Sequence, residues 1–366
     1  MKESKISVFQ LVVLLLLCRS FNLLSADILN VTGHYGMEHF LAIPLALLMQ
    51  AIIVLPAFLL MKATGRGLTE ATSWTLGKGG MIFPLVSCLY LFFASAITIY
   101  NLAVFLANAV YPGSSAYFFA ITLVLAAVYA AWLGLEGIAR SAVILAVLIV
   151  LSLLLTVLGV VERVNPVNIR PLEDGSGWNI LKGAWTLCAR SSAIYLYLPL
   201  SEQLKSGRRK GFFWYLLCAG ILMECVVFFV STVLGELAVK EAYPFFMLTT
   251  VAQISIFQRM DALHVCVWVA VCFLRVTLFL WAMREQFVSC LPLHARENGR
   301  ARWVLPFFAL ATLGAACGML LQHQTAELML NLLSTGIPIL LLIVAIPLVC
   351  LLVGWIRGRL RKGESA

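Results

Sequence analysis

Residues 141–160 read SAVILAVLIVLSLLLTVLGV, twenty consecutive positions without a charge. A helix of that length rises about 30 Å, the thickness of a bilayer's hydrocarbon core. Arg140 and Glu136 precede the run, and Glu162 and Arg163 follow it. The same apolar pattern recurs outward in both directions, at about 7–25, 40–61, 81–110, 115–133, 138–160, 182–203, 211–236, 261–288, 303–321 and 328–355. The chain is 62% hydrophobic and only 12% charged, far too little polar surface for a soluble fold of 366 residues. The pattern predicts an all-α integral membrane protein of ten transmembrane helices. No connection is long enough for a separate soluble unit, so residues 1–366 are read as one membrane domain.

The net charge of +9 does not indicate nucleic acid, because the basic residues sit in short clusters beside apolar runs. With the N-terminus in the cytoplasm, eighteen of the 26 Lys and Arg fall on the cytoplasmic side. Five fall outside (Arg163, Arg170, Lys182, Lys240 and Arg259), and three lie within spans. That asymmetry places both termini in the cytoplasm. Lys2, Lys5 and the apolar run up to Ala26 have the form of a secretory signal, yet nine further spans favour a retained first helix. Asn30-Val31-Thr32 matches a glycosylation acceptor and carries no argument. The ten cysteines have no disulfide or metal spacing and read as small apolar residues.

The three arginines within spans are Arg19, Arg190 and Arg275. Each costs about 2.5–3.5 kcal/mol at a span centre, so each should face a hydrated cavity or a partner. Arg19 stands in Cys18-Arg19-Ser20-Phe21-Asn22 of span 1, and Arg190 in Cys188-Ala189-Arg190-Ser191-Ser192 of span 6. If ten spans form two repeats of five, about 7–160 and 182–355, these positions correspond. Matching interruptions in two halves point to a transporter's binding site near the midplane. The competing reading is that both arginines pair with acids or carbonyls for packing. The expected ligand site comprises Arg19, Ser20, Phe21, Asn22, Thr98, Asn101, Arg190, Ser191 and Ser192, with Arg19 and Arg190 facing one cavity. Glu224, an acid well inside span 7, and Arg275 are candidate charge partners. Small and polar residues in span 3 (Ser87, Ala94, Thr98, Asn101, Asn108) and a face of span 8 (His264, Trp268, Cys272, Arg275) suit helix packing as well as a cavity. No catalytic constellation, metal cluster or cofactor motif is present, which argues against an enzyme.

Together these segments resemble the integral-membrane B subunit of spore germinant receptors, the GerAB type, within the amino acid–polyamine–organocation superfamily. The resemblance runs from Ile6-Ser7-Val8-Phe9-Gln10 through Gly134-Leu135-Glu136-Gly137-Ile138-Ala139-Arg140, Asn168-Ile169-Arg170-Pro171 with Gly175, and Leu198-Pro199. Its most specific part is Tyr243-Pro244 with Gln258-Arg259-Met260-Asp261 and Trp268. It implies two inverted five-helix repeats with broken helices 1 and 6, as in the leucine-transporter fold. It also implies a nutrient sensor of the inner spore membrane or cell membrane, acting with A and C subunits and coupling a small-molecule germinant to ion release. Family members commonly carry glycines where this chain has Arg19-Ser20-Phe21-Asn22, and a Gly and a Glu near Ser191 and Ala193. The exchange toward positive charge favours an anionic ligand, or a subunit with a degenerate pocket. A stand-alone secondary transporter and a ligand-less assembly subunit are the alternatives.

Overall fold

The computed structural model describes residues 6–24, 36–172, 176–204, 206–254, 260–291 and 302–357. Arg259, Gln258, Gly175 and the Asn30-Val31-Thr32 match lie outside the described residues. The elements are helical: α1 (Val8–Leu24), α2 (Met37–Thr64), α3 (Leu68–Leu76), α4 (Ile82–Phe105), α5 (Ala116–Leu133), α6 (Leu135–Val160), α7 (Ser176–Ala189) and α8 (Ser192–Glu202). They continue with α9 (Arg208–Leu234), α10 (Pro244–Val251), α11 (Asp261–Cys290), α12 (Val304–Leu321), α13 (His323–Ser334) and α14 (Ile337–Ile356). Eight helical stretches among the described residues are long and apolar enough to span a bilayer; α1 and the α7–α8 pair are shorter.

Helix α1 is largely buried, its polar Arg19, Ser20 and Asn22 included, as expected of a helix surrounded by others. It packs against α6, α8, α9 and α11, and Leu11, Leu14 and Leu15 are fully buried. By contrast α2, α5 and α6 turn rows of Leu, Ile and Val outward, the lipid-facing surface of the bundle. Cys225 and Cys266 are exposed rather than buried, and all ten cysteines are free thiols.

Two expectations need correction. No break falls at Arg19–Asn22: among the described residues α1 runs through that segment without interruption. It holds no glycine or proline, and Ser20 Oγ simply donates to the Leu16 carbonyl one turn back (2.8 Å). The tenth span does not run from 328 to 355. Its first part is the separate helix α13, largely exposed, which ends at Thr335-Gly336 before α14 begins. Gly336 adopts φ +77°, and Pro338 opens the next helix. The connection between spans 2 and 3 contains the helix α3.

Gly67 precedes α3 and has no side chain to cap it. Glu202, at the end of α8, does so instead: its Oε1 accepts from the Leu68 N–H (2.6 Å). At the opposite end of the bundle Arg170 pairs with exposed Glu236 and holds its carboxyl below the usual range. There the Met37 N–H also donates to the Arg170 carbonyl (3.0 Å), tying α2 to the segment before α7.

A Cβ on Gly336 would sit 2.6 Å from the Trp185 ring, in a left-handed backbone region that L side chains rarely adopt. Gly336→Ala should therefore cost about 1–3 kcal/mol. A thermal unfolding midpoint in detergent equal to that of the wild type would contradict this account of the α13–α14 junction.

Candidate functional site

The break between α7 and α8 falls at Arg190-Ser191, as the matching interruptions led us to expect. Helix α7 stops at Ala189, Ser191 takes φ −83° and ψ 84°, and α8 resumes at Ser192. A helix that stops inside the membrane leaves carbonyls that need donors. Some are met locally, since the Ser191 N–H donates to the Cys188 carbonyl and the Ser192 N–H to that of Arg190 (both 3.1 Å). The rest come from α1. An Arg19 terminal N–H donates to the Leu187 carbonyl (3.0 Å), and Asn22 Nδ2 donates to the Arg190 carbonyl (2.8 Å). An intact helix 1 thus supports the broken helix 6.

Asn22 has a second role. Its Oδ1 accepts from Arg275 of α11 (3.2 Å), and the same Arg275 nitrogen donates to the Cys18 carbonyl (3.2 Å). The Arg275 guanidinium lies 4.1 Å from the Phe21 ring centre and 5.2 Å from that of Phe279, a cation–π stack inside the bundle. Arg190 points away from α1, and its Nε donates to Ser334 Oγ at the end of α13 (2.8 Å).

Arg190 and Arg275 line a common internal cavity of about 30 Å³. Helix α1 contributes Phe21 and Asn22 to it, α4 contributes Tyr90, Ala94 and Ile97, and the broken helix adds Ala189 and Ser192. Leu330 and Leu333 of α13 close one side. No carboxylate is among its described lining residues. This volume holds a water or two, so any larger ligand requires the walls to move. At the end of the bundle beside Glu202 lies a much larger vestibule of about 890 Å³, which Arg66, Glu70, Trp74, Arg208, Glu285 and Gln286 help to line. Between vestibule and cavity stand Tyr195, hydrogen-bonded to Ser87, and Tyr90, whose ring lies edge-on to that of Tyr195 at 5.6 Å.

The expected site residues therefore divide. Phe21, Asn22, Arg190 and Ser192 line the cavity, and Arg275 joins them as a wall residue. Arg19 does not face it: its guanidinium turns to α7 and α9, reaching the Leu187 carbonyl and the Met223 thioether (3.3 Å). Ser20 and Ser191 are buried outside the lining, and Thr98 donates to its own helix at Ala94 (2.7 Å). Asn101 is half-buried and also outside it. Glu224 is half-buried on α9, and the ion pairs among the described residues do not include it. Tyr90 and Ser334 escaped the sequence reading. Tyr90 lies one turn from Ala94 in the span 3 stripe, and Ser334 immediately precedes the Thr335-Gly336 break, so each carried a weak signal.

Asn22→Leu keeps the volume and removes the bonds from Asn22 to the Arg190 carbonyl and to Arg275, leaving the carbonyl with the Ser192 N–H and the Arg275 nitrogen with the Cys18 carbonyl. The loss should be about 1–3 kcal/mol, read as a lowered unfolding midpoint in detergent. An unchanged midpoint would show that the break stands without helix 1.

No curated protein matches the chain. Among solved structures it is similar to a Na+-coupled sialic acid symporter in a substrate-bound, outward-open state, with TM-score 0.65 and 12% identity over 91% of this chain and 78% of that one. At that identity the likeness establishes the fold, that of a membrane transporter, and nothing about ligand. The sequence profile described as "Spore germination protein" matches residues 4–317. The chain is a multi-pass, permease-like membrane protein and belongs to the spore germination protein family.

Proposed function

We propose that this protein is the membrane-embedded B subunit of a nutrient germinant receptor. It binds a small ligand, an amino acid or an anionic metabolite, in the mid-membrane cavity and triggers germination through ion release. Its partners in this reading are the germinant, receptor A and C subunits and the lipid bilayer. It resides in the inner spore membrane or the cell membrane with both termini cytoplasmic, as one domain of two repeats. The observation that carries the proposal is the pair of guanidinium groups, Arg190 and Arg275, lining one cavity beside a broken helix. Two fixed cations favour a carboxylate or another anion. In this orientation the vestibule opens to the cytoplasm, while α13 covers the cavity from outside. Ligand entry then requires α13 to lift, which breaks the Arg190–Ser334 bond and the bond between Tyr100 Oη and His323 Nδ1 (2.7 Å).

The second reading, a stand-alone secondary transporter of amino acids or organic anions, is favoured by the symporter likeness. Substrate-dependent flux in proteoliposomes holding this chain alone would select it.

Spores carrying Arg190→Gln or Arg275→Gln should need about 10–100-fold more germinant for the same response. That is the scale of one charge-assisted hydrogen bond, about 1.5–3 kcal/mol. Normal accumulation of both variants with an unchanged response would leave the subunit as an assembly component with no ligand of its own.

A further inference from the structure

The Arg19 guanidinium is 1% exposed, and among the described residues no carboxylate pairs with it. Its terminal nitrogens reach a carbonyl and a thioether, and its Nε has no hydrogen-bond partner. Among the described residues the ion pairs are Arg140–Glu136, Arg170–Glu236 and Arg284–Glu285, all elsewhere. A buried guanidinium without a counter-charge is among the costliest groups a membrane protein can hold.

Two more groups beside it are incomplete. Ser191 Oγ, at the helix break, and the Tyr215 hydroxyl of α9 are 1% and 0% exposed, and neither has a partner beyond the other. The Tyr215 hydroxyl lies next to Ser191 and within electrostatic reach of Arg19. Helix α8 begins one residue later, so the positive end of its dipole faces the same place. Three separate stretches of chain thus bring a fixed cation close to a pair of hydroxyls that, bonded to each other, keep one O–H to donate.

What this cluster lacks is an acceptor with one negative charge. A water would take the hydrogen bonds and leave the charge uncompensated. A metal cation would be repelled by the guanidinium. We propose that Arg19 Nε, Ser191 Oγ and Tyr215 Oη bind a small monovalent inorganic anion, chloride, at the junction of α7 and α8. None of the three lines the cavity between Arg190 and Arg275, so this site is distinct from the proposed ligand site. The anion neutralises Arg19 while its terminal nitrogen caps the end of α7, and so stabilises the broken helix.

The test uses the full chain in detergent, exchanged from potassium gluconate into potassium chloride at constant ionic strength. An anion that binds only the folded state raises the unfolding midpoint. The midpoint should rise by several degrees and saturate, with bromide replacing chloride. Arg19→Gln should abolish the rise, and Tyr215→Phe should raise the half-saturating chloride about tenfold, the scale of one hydrogen bond to a charge. Arg190→Gln should keep the full dependence, which separates this site from the cavity. A wild-type midpoint indifferent to chloride overturns the proposal. So does a dependence that survives Arg19→Gln or disappears in Arg190→Gln. If Arg19→Gln does not accumulate, crystals of the wild type grown in bromide decide. An anomalous peak between Arg19 and Tyr215 supports the site, and its absence overturns it.

Discussion

The architecture of the bundle centre depends on carbonyl oxygens that have lost their own helix. Where α7 ends in apolar surroundings, the Leu187 and Arg190 carbonyls cannot turn to water. Arg19 and Asn22 supply their donors, and Asn22 passes the connection on to Arg275. Four helices are joined through this one network. The intact α1 is needed for it, because its side chains must be held rigidly for the break in its neighbour to be stable.

The same network explains why the polar groups separate into two sets. Toward α4 and α13, Arg275 and Arg190 meet at a small closed cavity. Toward α9, Arg19 is enclosed with Tyr215, Ser191 and Met223. The two sets lie on either side of the α7–α8 break, and Asn22 marks the boundary. A helix that carries both a cap and a cavity wall has few positions to spare for lipid or for glycine.

Much of this was legible from composition alone. Long uncharged runs such as 141–160 located most of the spans, although the tenth begins nine residues later than its apolar run suggests, and the Cys-Ala-Arg-Ser-Ser sequence located the break. The direction of Arg19 was not legible. Helix α1 is buried all round, so it has no polar face to orient it, and only the packed neighbours decide which way the guanidinium turns. Spacing placed Thr98 and Asn101 on a suggestive stripe, yet Thr98 satisfies itself on its own helix and Asn101 falls outside the lining. The Arg19–Asn22 segment reads as an interruption of helix 1, yet it is helical throughout. Helix propensity and a self-bonded Ser20 keep α1 whole.

The cap that Glu202 places on α3 gives the second half of the broken helix a mechanical meaning. Helix α8 carries Ser192, a cavity wall, at one end and Glu202 at the other, ten residues away. At 1.5 Å per residue it is a strut of about 15 Å. The cavity wall and the cap on α3 therefore sit on one short helix, so the position of Ser192 and the anchoring of the vestibule's rim are set together.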